Sequence, residues 1–166
     1  MLEAGDSVVL GSVAPIELPP AAEEMLGLFS SGSTGTPKLC WHSWGNLKKQ
    51  SSVSEQFQGW TWTSPFAPES FAGVQVALQA WTTQGTAVSL PGNPLRAWET
   101  LARIQPEALC CTPTFLDLLI GAQPESSAWT PQQITLGGEP LRPPAGLRFQ
   151  SRFPAARFTV VYASAE

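Results

Sequence analysis

A chain of 166 residues with 43% apolar and 13% charged residues is long enough for one domain with a real core, and it is too apolar to be disordered. Its formal net charge of -4 and its nine scattered Lys and Arg residues predict that nucleic acid is not a partner. An acidic N-terminus and the lack of a long apolar run predict neither an export signal nor a membrane span. Three cysteines, an odd number, fit a reducing, cytoplasmic setting.

In chain order, the sequence predicts a short N-terminal segment and then an α/β core. Residues 1–24 combine one apolar run, Val8–Leu10, with several prolines, which predicts a strand and a linker. Over residues 25–166, short apolar runs alternate with amphipathic segments, a pattern typical of βα units and a mainly parallel sheet flanked by helices. The predicted strands are 26–30, 60–64, 86–90, 108–111, 133–136 and 158–162. The predicted helices are 43–57, 70–83, 94–104 and 114–121.

Local signals refine these elements. Ser43 and Ser70 are predicted N-caps, and Pro94 is a predicted first-turn residue. The Pro-rich patch 140–144 is predicted to be a loop. We expect the fourth helix to pack its apolar face, formed by Phe115, Leu118 and Leu119, on the sheet.

A loop rich in glycine and hydroxyl groups follows the strand predicted at 26–30. It reads Ser30-Ser31-Gly32-Ser33-Thr34-Gly35-Thr36-Pro37-Lys38. Glycines let backbone N–H groups approach phosphate oxygens, hydroxyls donate further hydrogen bonds, and the Lys ammonium supplies positive charge. A flexible linker is the alternative, but a loop directly after a strand of an α/β fold is where ligands bind. The loop therefore predicts a polyphosphate site.

Two well-known phosphate loops do not fit this segment. The pattern G-x-x-x-x-G-K-[ST], counted from Gly32, meets Pro37 at the second glycine and Leu39 at the magnesium-binding hydroxyl. The dinucleotide pattern G-x-G-x-x-G is also absent, because two residues separate Gly32 from Gly35. We therefore expect neither a P-loop NTPase nor a Rossmann dehydrogenase.

The run from Ser31 to Lys38 resembles the phosphate-binding signature of the adenylate-forming superfamily, which includes acyl-CoA synthetases, peptide-synthetase adenylation domains and luciferases. Leu136-Gly137-Gly138-Glu139-Pro140-Leu141 resembles the family's Gly-Gly-Glu segment beside the adenine pocket. Tyr162-Ala163-Ser164-Ala165-Glu166 resembles its Tyr-Gly-x-Thr-Glu segment. With Cys111 to Leu119, which is similar to the segment before the Gly-Gly-Glu turn, the resemblance covers residues 26–166.

The resemblance implies the partial core of the large N-terminal domain of an adenylate-forming enzyme, with residues 25–166 as an AMP-binding core. Such enzymes use ATP and Mg²⁺ to convert a carboxylic acid into an acyl-AMP, which normally passes to a thiol, often that of coenzyme A. The implied ATP-binding residues are Ser31, Gly32, Ser33, Thr34, Gly35, Thr36, Lys38, Gly137, Gly138, Glu139, Pro140 and Tyr162. The implied metal ligand is Glu166, and no catalytic residue is assigned.

The sequence departs from the family at several points. Ala165 replaces the Thr before the final Glu, and Ser70 stands where many members place the His of a His-x-x-Gly segment. The sequence stops at Glu166, before the family's ribose-binding Asp, hinge and small C-terminal domain with its adenylation Lys, so the chemistry is expected to need those parts. His42, the only histidine, is predicted to begin the helix after the loop.

Three functions follow from these features. The first is an acyl- or aryl-CoA synthetase type of ligase acting on a small carboxylate. The second is a catalytically incomplete nucleotide-binding or interaction module, which Ala165 and the early stop favour. The third is an adenylation domain that loads a carrier protein. The seven tryptophans are predicted to lie in a core or an interdomain surface, and they do not identify the substrate.

Overall fold

Two β-sheets organise the part of the chain that the structure describes. The computed structural model describes residues 8–10, 24–29, 38–49, 51, 54–124 and 128–162. The strands are β1 Val8–Leu10, β2 Met25–Phe29, β3 Leu39–Ser43, β4 Thr61–Ser64, β5 Thr86–Ser89, β6 Ala108–Cys111, β7 Gln133–Leu136 and β8 Arg157–Val160. The helices are α1 Trp44–Lys49, α2 Phe71–Thr82, α3 Pro94–Ile104, α4 Pro113–Gly121 and α5 Pro143–Arg152, and a 3-10 turn covers Glu55–Phe57.

The larger sheet contains β4 to β8 in the order β5-β4-β6-β7-β8, and every neighbouring pair is parallel. The smaller sheet has the order β1-β2-β3, with β1 parallel and β3 antiparallel to β2. Each of the six strands predicted from the core is present, with ends that differ by no more than two residues. The predicted α/β class with a mainly parallel sheet flanked by helices is therefore confirmed.

Alternation along β6 divides the core between the two faces of the parallel sheet. Cys110 packs with Trp62 and Val76 in the cluster beneath α2. Its neighbour Cys111 points to the opposite face and packs with Leu116 of α4, in a cluster that also includes side chains of α3 and α5. Successive strand residues face opposite sides, so both faces of this sheet are covered by helices, as parallel sheets require.

Helix α2 lies between the two sheets and is apolar on two sides. Val74 and Leu78 pack with Leu28 of β2 in one cluster, while Val76 and Ala80 contribute to the cluster on β4 and β6. The layers are therefore the small sheet, α1 with α2, the parallel sheet, and α3 to α5. No helix in the described residues has the length and apolar character needed to cross a membrane.

Three tryptophans form part of the core, as predicted. Trp98 and Trp129 are fully or almost fully buried and meet edge to face, with ring centroids 5.9 Å apart, and Trp62 is also buried. The indole N–H of Trp129 donates to the Pro106 carbonyl at 2.9 Å, so its polar atom is satisfied. Trp81, by contrast, is 60% exposed.

The helix predicted over residues 43–57 is confirmed only in part. The segment that follows the glycine-rich loop is strand β3, and the described helical residues of this range are those of α1 and of the 3-10 turn at Glu55–Phe57, which do not form one continuous helix. β3 pairs with the edge of β2, where the Trp41 ring covers Gly27; a Cβ on Gly27 would lie 3.0 Å from Trp41 Cζ3. His42 consequently lies within β3 and does not begin a helix. Ser43 does act as an N-cap, because its Oγ accepts from the Asn46 N–H at 3.3 Å.

The buried face predicted for α4 is correct for Leu119 and for the partly buried Phe115 but wrong for Leu118. Pro113, Leu116 and Leu119 are buried, whereas Leu118 is 56% exposed. Five of the nine residues of this helix are large and apolar, so periodicity alone fits more than one face. Asp117 lies on the outer side, where it pairs with Arg148 of α5.

The proline-rich patch is a loop only in its first half. Helix α5 begins at Pro143, and Pro143 and Pro144 occupy its first turn. Proline is tolerated there because the first N–H groups of a helix have no intrahelical acceptor. The predicted loop over residues 140–144 is therefore wrong at its end.

Gly73 in α2 provides a test of how closely this helix packs against the segment before it. A Cβ on Gly73 would lie 2.1 Å from the carbonyl oxygen of Ala67, whereas a Cβ on Gly121, at the end of α4, meets nothing within 4 Å. We expect Gly73→Ala to lower the free energy of unfolding by about 1 to 3 kcal/mol, because the backbone must shift. The matched change Gly121→Ala should be neutral or raise it by up to about 1 kcal/mol. Urea unfolding followed by tryptophan fluorescence measures both, and equal effects would contradict the packing at Gly73.

Candidate functional site

The loops after β4, β6, β7 and β8 leave the same edge of the parallel sheet. The chain passes from β4 to the edge strand β5 through α2, and then returns past β4 to β6 through α3. The direction of strand addition therefore reverses between β4 and β6. Open α/β sheets bind ligands in the crevice at such a reversal, outside the carboxyl ends of the strands.

The Gly137–Gly138 turn extends over this reversal. The Gly137 N–H donates to the Cys111 carbonyl at 3.1 Å, which continues the β6–β7 pairing by one residue. Gly138 is exposed and has φ +82°, in the left-handed region that favours glycine. A Cβ there would lie 3.4 Å from Thr112 Cγ2 and 4.0 Å from Phe66 Cε1. The turn thus lies beside the ends of both β6 and β4, and the missing side chain leaves its outer surface open.

The Glu139 side chain turns back from this loop to the N-terminus of α4. Its carboxylate accepts from the backbone N–H of Thr114. Thr112, the N-cap of α4, accepts from the Phe115 N–H at 3.1 Å. Partial burial raises the pKa of the Glu139 carboxyl, but hydrogen bonds from the Thr114 N–H and from the Thr114 and Thr112 hydroxyls outweigh it and hold the pKa below its ordinary value. The carboxylate is therefore engaged with protein groups.

Tyr162 lies just beyond the end of β8, next to the same turn. The Val161 N–H donates to the Leu136 carbonyl at 2.7 Å, and a Cβ on Gly137 would lie 3.5 Å from the Val161 carbonyl oxygen. The Tyr162 side chain is 77% exposed. An exposed aromatic ring beside an open glycine turn is suited to stacking on a planar ligand.

The predicted phosphate and metal residues are mostly beyond what the structure describes. Of the loop from Ser31 to Lys38, only Lys38 is described, and it is exposed. Phe29 pairs with Leu39, so the element that follows the loop is the antiparallel neighbour of β2 and not a helix. Residues 163–166, which include Ala165 and Glu166, also lie outside the described residues.

Ser70, which stands at the family's His position, has a local structural role. Its hydroxyl accepts from the Gly73 N–H at 3.1 Å and donates to the Ala67 carbonyl at 2.7 Å. It therefore caps α2, as predicted from its type and place. Gly73, the last residue of the same segment, is fixed by its close approach to Ala67.

The cysteines of β6 are not suited to nucleophilic chemistry. Burial raises the pKa of the Cys110 thiol to about 12, although a hydrogen bond with Thr135 acts in the opposite direction. Burial, with the nearby Cys110 and Glu139, also raises the pKa of Cys111. Both thiols remain protonated and pack as small apolar groups. Within the described ranges, no group of three or more His, Cys, Asp or Glu side chains is placed to hold a metal ion.

Sequence reasoning missed the residues that support the glycine turn. Thr112 and Thr114 belong to the segment that resembles the family, but no role was predicted for either, and Phe66 was not singled out. The Thr112-Pro113 pair was a usable signal, because a hydroxyl residue followed by proline is typical of a helix N-terminus. The contact between Thr114 and Glu139, in contrast, spans 25 residues of sequence and cannot be predicted from a local pattern.

Several solved structures have the same fold as this chain. An amide bond synthetase from Marinactinospora thermotolerans superposes with a TM-score of 0.71 at 24% identity, over 94% of this chain and 33% of its own. A luciferase-like enzyme from the mealworm Zophobas morio superposes with a TM-score of 0.70 at 18% identity, over 93% of this chain and 37% of its own. A benzoate CoA ligase from Burkholderia xenovorans superposes with a TM-score of 0.70 at 17% identity, over 89% of this chain and 31% of its own. The chain thus spans about a third of the length of these proteins, and at such identities the likeness concerns the fold.

No curated protein shows significant sequence similarity to the chain. The sequence profile described as "AMP-binding enzyme", however, matches residues 5–166. The match begins well before residue 26, where the resemblance noted from the motifs starts, and it includes β1. Because it covers nearly the whole sequence, the chain belongs to the AMP-binding enzyme family, within the superfamily of adenylate-forming enzymes.

Proposed function

We propose that this chain is the nucleotide-binding core of a ligase that activates a carboxylic acid as an acyl-adenylate. The observation that carries the proposal is the open Gly137–Gly138 turn at the strand-order reversal, with the exposed Tyr162 following β8 at the same edge of the sheet. Membership of the AMP-binding enzyme family supports the same nucleotide at this edge.

In this proposal, the nucleotide lies across two parts of the chain. Tyr162 stacks on the adenine ring, and the turn of Gly137, Gly138, Glu139 and Pro140 lies along the adenine. The loop with Ser31, Gly32, Ser33, Thr34, Gly35, Thr36 and Lys38 holds the phosphates. Mg²⁺, held by Glu166, would neutralise charge on the phosphate oxygens. Glycine N–H groups, hydroxyls and an ammonium suit this task because they stabilise the charge that develops during phosphoryl chemistry.

The reaction follows from these positions. A carboxylate oxygen of the substrate attacks the α-phosphorus of ATP, the bond to the β-phosphate oxygen breaks, and pyrophosphate leaves with acyl-AMP remaining. In the finer form of the proposal, the thiol of coenzyme A then attacks the acyl carbonyl and AMP leaves, which gives a thioester. Fatty-acid and benzoate CoA ligases among the structures of like fold support this acceptor, whereas the amide bond synthetase shows that the fold serves other acceptors.

The remaining parts of the proposal concern context. The chain spans about a third of the proteins of like fold, so we expect it to need the rest of a large domain and a small C-terminal domain for turnover. The substrate is expected to be a small carboxylate, nucleic acid is not an expected partner, and a cytoplasmic setting stays a prediction. Loading of a carrier protein is the alternative acceptor reaction.

A binding module without adenylation is the second candidate, and Ala165 is the residue that favours it. The hydroxyl that the family places before the final Glu is missing, and one hydrogen bond to a charged phosphate oxygen contributes about 1.5 to 3 kcal/mol. The two functions differ in turnover but share the nucleoside site.

Exchange of labelled pyrophosphate into ATP separates these functions. We expect residues 1–166 alone to exchange feebly or not at all, and any longer natural product to exchange when given its acid from a panel of carboxylates. The assay reports the first half-reaction without an acceptor. Substantial exchange by residues 1–166 would contradict the need for further parts, whereas no exchange by the longer product with any acid would favour the binding module.

The stacking role of Tyr162 is tested by adenosine binding. Tyr162→Ala should weaken adenosine by about 1 to 3 kcal/mol, the range found for base stacking on aromatic side chains, while Tyr162→Phe keeps the ring and most of the affinity. Trp81→Ala, which removes another exposed aromatic ring from α2, is the matched control and should leave affinity unchanged. Calorimetry measures all three, and an unchanged affinity in Tyr162→Ala would exclude stacking.

Restoring the family hydroxyl tests the phosphate end. Ala165→Thr should strengthen binding of an acyl-AMP analogue by about 1.5 to 3 kcal/mol and leave adenosine almost unchanged, because only the analogue carries a charged phosphate. Calorimetry with both ligands on both proteins decides it. Equal gains for the two ligands, or none for the analogue, would mean that residue 165 does not face the phosphate.

A further inference from the structure

The Glu139 carboxylate forms hydrogen bonds with groups of the protein itself. Its carboxylate is the acceptor for the Thr114 N–H, 25 residues earlier in the chain. Thr114 lies in the first turn of α4, where N–H groups have no intrahelical acceptor, and the Thr112 hydroxyl already satisfies the Phe115 N–H. Thr112, at the end of β6, and Glu139, in the loop after β7, therefore cap α4 together.

This cap also closes the glycine turn. β6 and β7 pair up to Cys111 and Leu136, and the Gly137 N–H adds one more bond to β6. Beyond it, the left-handed Gly138 reverses the backbone, and the Glu139 side chain ties the far side of the turn to α4. The turn is thus held at both ends, with Gly138 exposed between them.

The geometry points to Glu139 as a positioning residue whose carboxylate holds the Gly137–Gly138 turn against the N-terminus of α4, so that the turn is preformed for the adenine and this carboxylate does not contact the nucleotide. The inference rests on the proposed function, because it concerns the same nucleoside site. It assigns the Glu139 carboxylate to the protein instead of the ligand. Binding loops that are already ordered avoid the entropy cost of ordering when the ligand arrives.

Substitutions separate an anchor from a ligand contact. Glu139→Gln keeps an oxygen that accepts from the Thr114 N–H, whereas Glu139→Ala removes it. We expect Glu139→Ala to weaken adenosine by about three- to tenfold and Glu139→Gln to retain most of the affinity. Equal losses in the two variants would overturn the inference, because a contact through the negative charge is lost in both.

The hydrogen bond between Glu139 and Thr114 can also be removed at its donor, the Thr114 N–H. Thr114→Pro deletes the donor N–H in the first turn of α4, where proline is tolerated; α5 begins with the same Pro-Pro pair at Pro143 and Pro144. If Glu139 acts through this N–H, the double variant Glu139→Ala with Thr114→Pro weakens adenosine no more than the larger single effect. Additive losses would overturn the inference.

A matched control separates the loss of stability that any lost helix cap causes from a specific loss of adenosine affinity. Asn93 caps α3 by accepting from the Arg96 N–H at 3.1 Å, away from the glycine turn. Asn93→Ala should lower the melting temperature about as much as Glu139→Ala while leaving adenosine affinity intact. A loss of affinity in Asn93→Ala equal to that in Glu139→Ala would reduce Glu139 to a general stabiliser and overturn the positioning role.

Amide hydrogen exchange makes the result independent of nucleotide binding. We expect the amides of residues 137–139 to exchange faster in Glu139→Ala than in the unaltered chain, and at an unaltered rate in Asn93→Ala. If the unaltered chain binds no adenosine by calorimetry, the proposed nucleoside site fails by itself, and exchange still decides the anchor. Unchanged exchange at the turn in Glu139→Ala would overturn it.

Discussion

The structure depends on the need to cover both faces of a parallel sheet. Parallel strands are buried on both sides, so each face requires helices that present matching apolar stripes. Here α3, α4 and α5 supply one face, while α2 supplies the other and is itself covered by the small sheet through Val74 and Leu78. This requirement sets the order in which the chain must cross the sheet, since α2 and α3 lie on opposite faces. The strand-order reversal between β4 and β6 is the direct result.

The site follows from that reversal and from the geometry of strand ends. Strands that run in parallel bring their carboxyl ends to one edge, so segments that are far apart in sequence meet there without any local pattern between them. Phe66, Thr112 and Gly138 follow the ends of β4, β6 and β7, and a Cβ on Gly138 would be in reach of both Thr112 and Phe66. The edge is polar where the helix begins, because unsatisfied N–H groups of α4 must find acceptors. Glu139 and Thr112 provide those acceptors, and the glycine turn takes its position from them.

Sequence reasoning reached the elements of this arrangement more readily than their phases and partners. The parallel strands were predictable because short β-branched and apolar runs alternate with helical segments, and Ser70 was readable as a cap from its type and place. The exposure of Leu118 in α4 was not predictable, since apolar residues occur on more than one face of this helix. β3 was missed because its pairing depends on the free edge of β2 and on the fit of Trp41 over Gly27. Glu139 was readable as part of a motif, but its partner Thr114 is a tertiary contact.

The two halves of the proposed nucleotide site differ in how the chain supports them. The nucleoside half is built on the parallel sheet. Gly137 donates a hydrogen bond to β6, Val161 donates one to the Leu136 carbonyl of β7, and Tyr162 follows Val161 directly. The glycine-rich loop instead joins β2 to β3 in the smaller sheet, and α2 lies between that sheet and the parallel one. In the proposed site, a change in how the small sheet packs on α2 would therefore move the strands that flank the glycine-rich loop relative to the Gly137–Gly138 turn. On this proposal, we expect affinity for adenosine to depend on the parallel sheet alone, and affinity for ATP to depend on the packing of Leu28 and Leu47 on α2 as well.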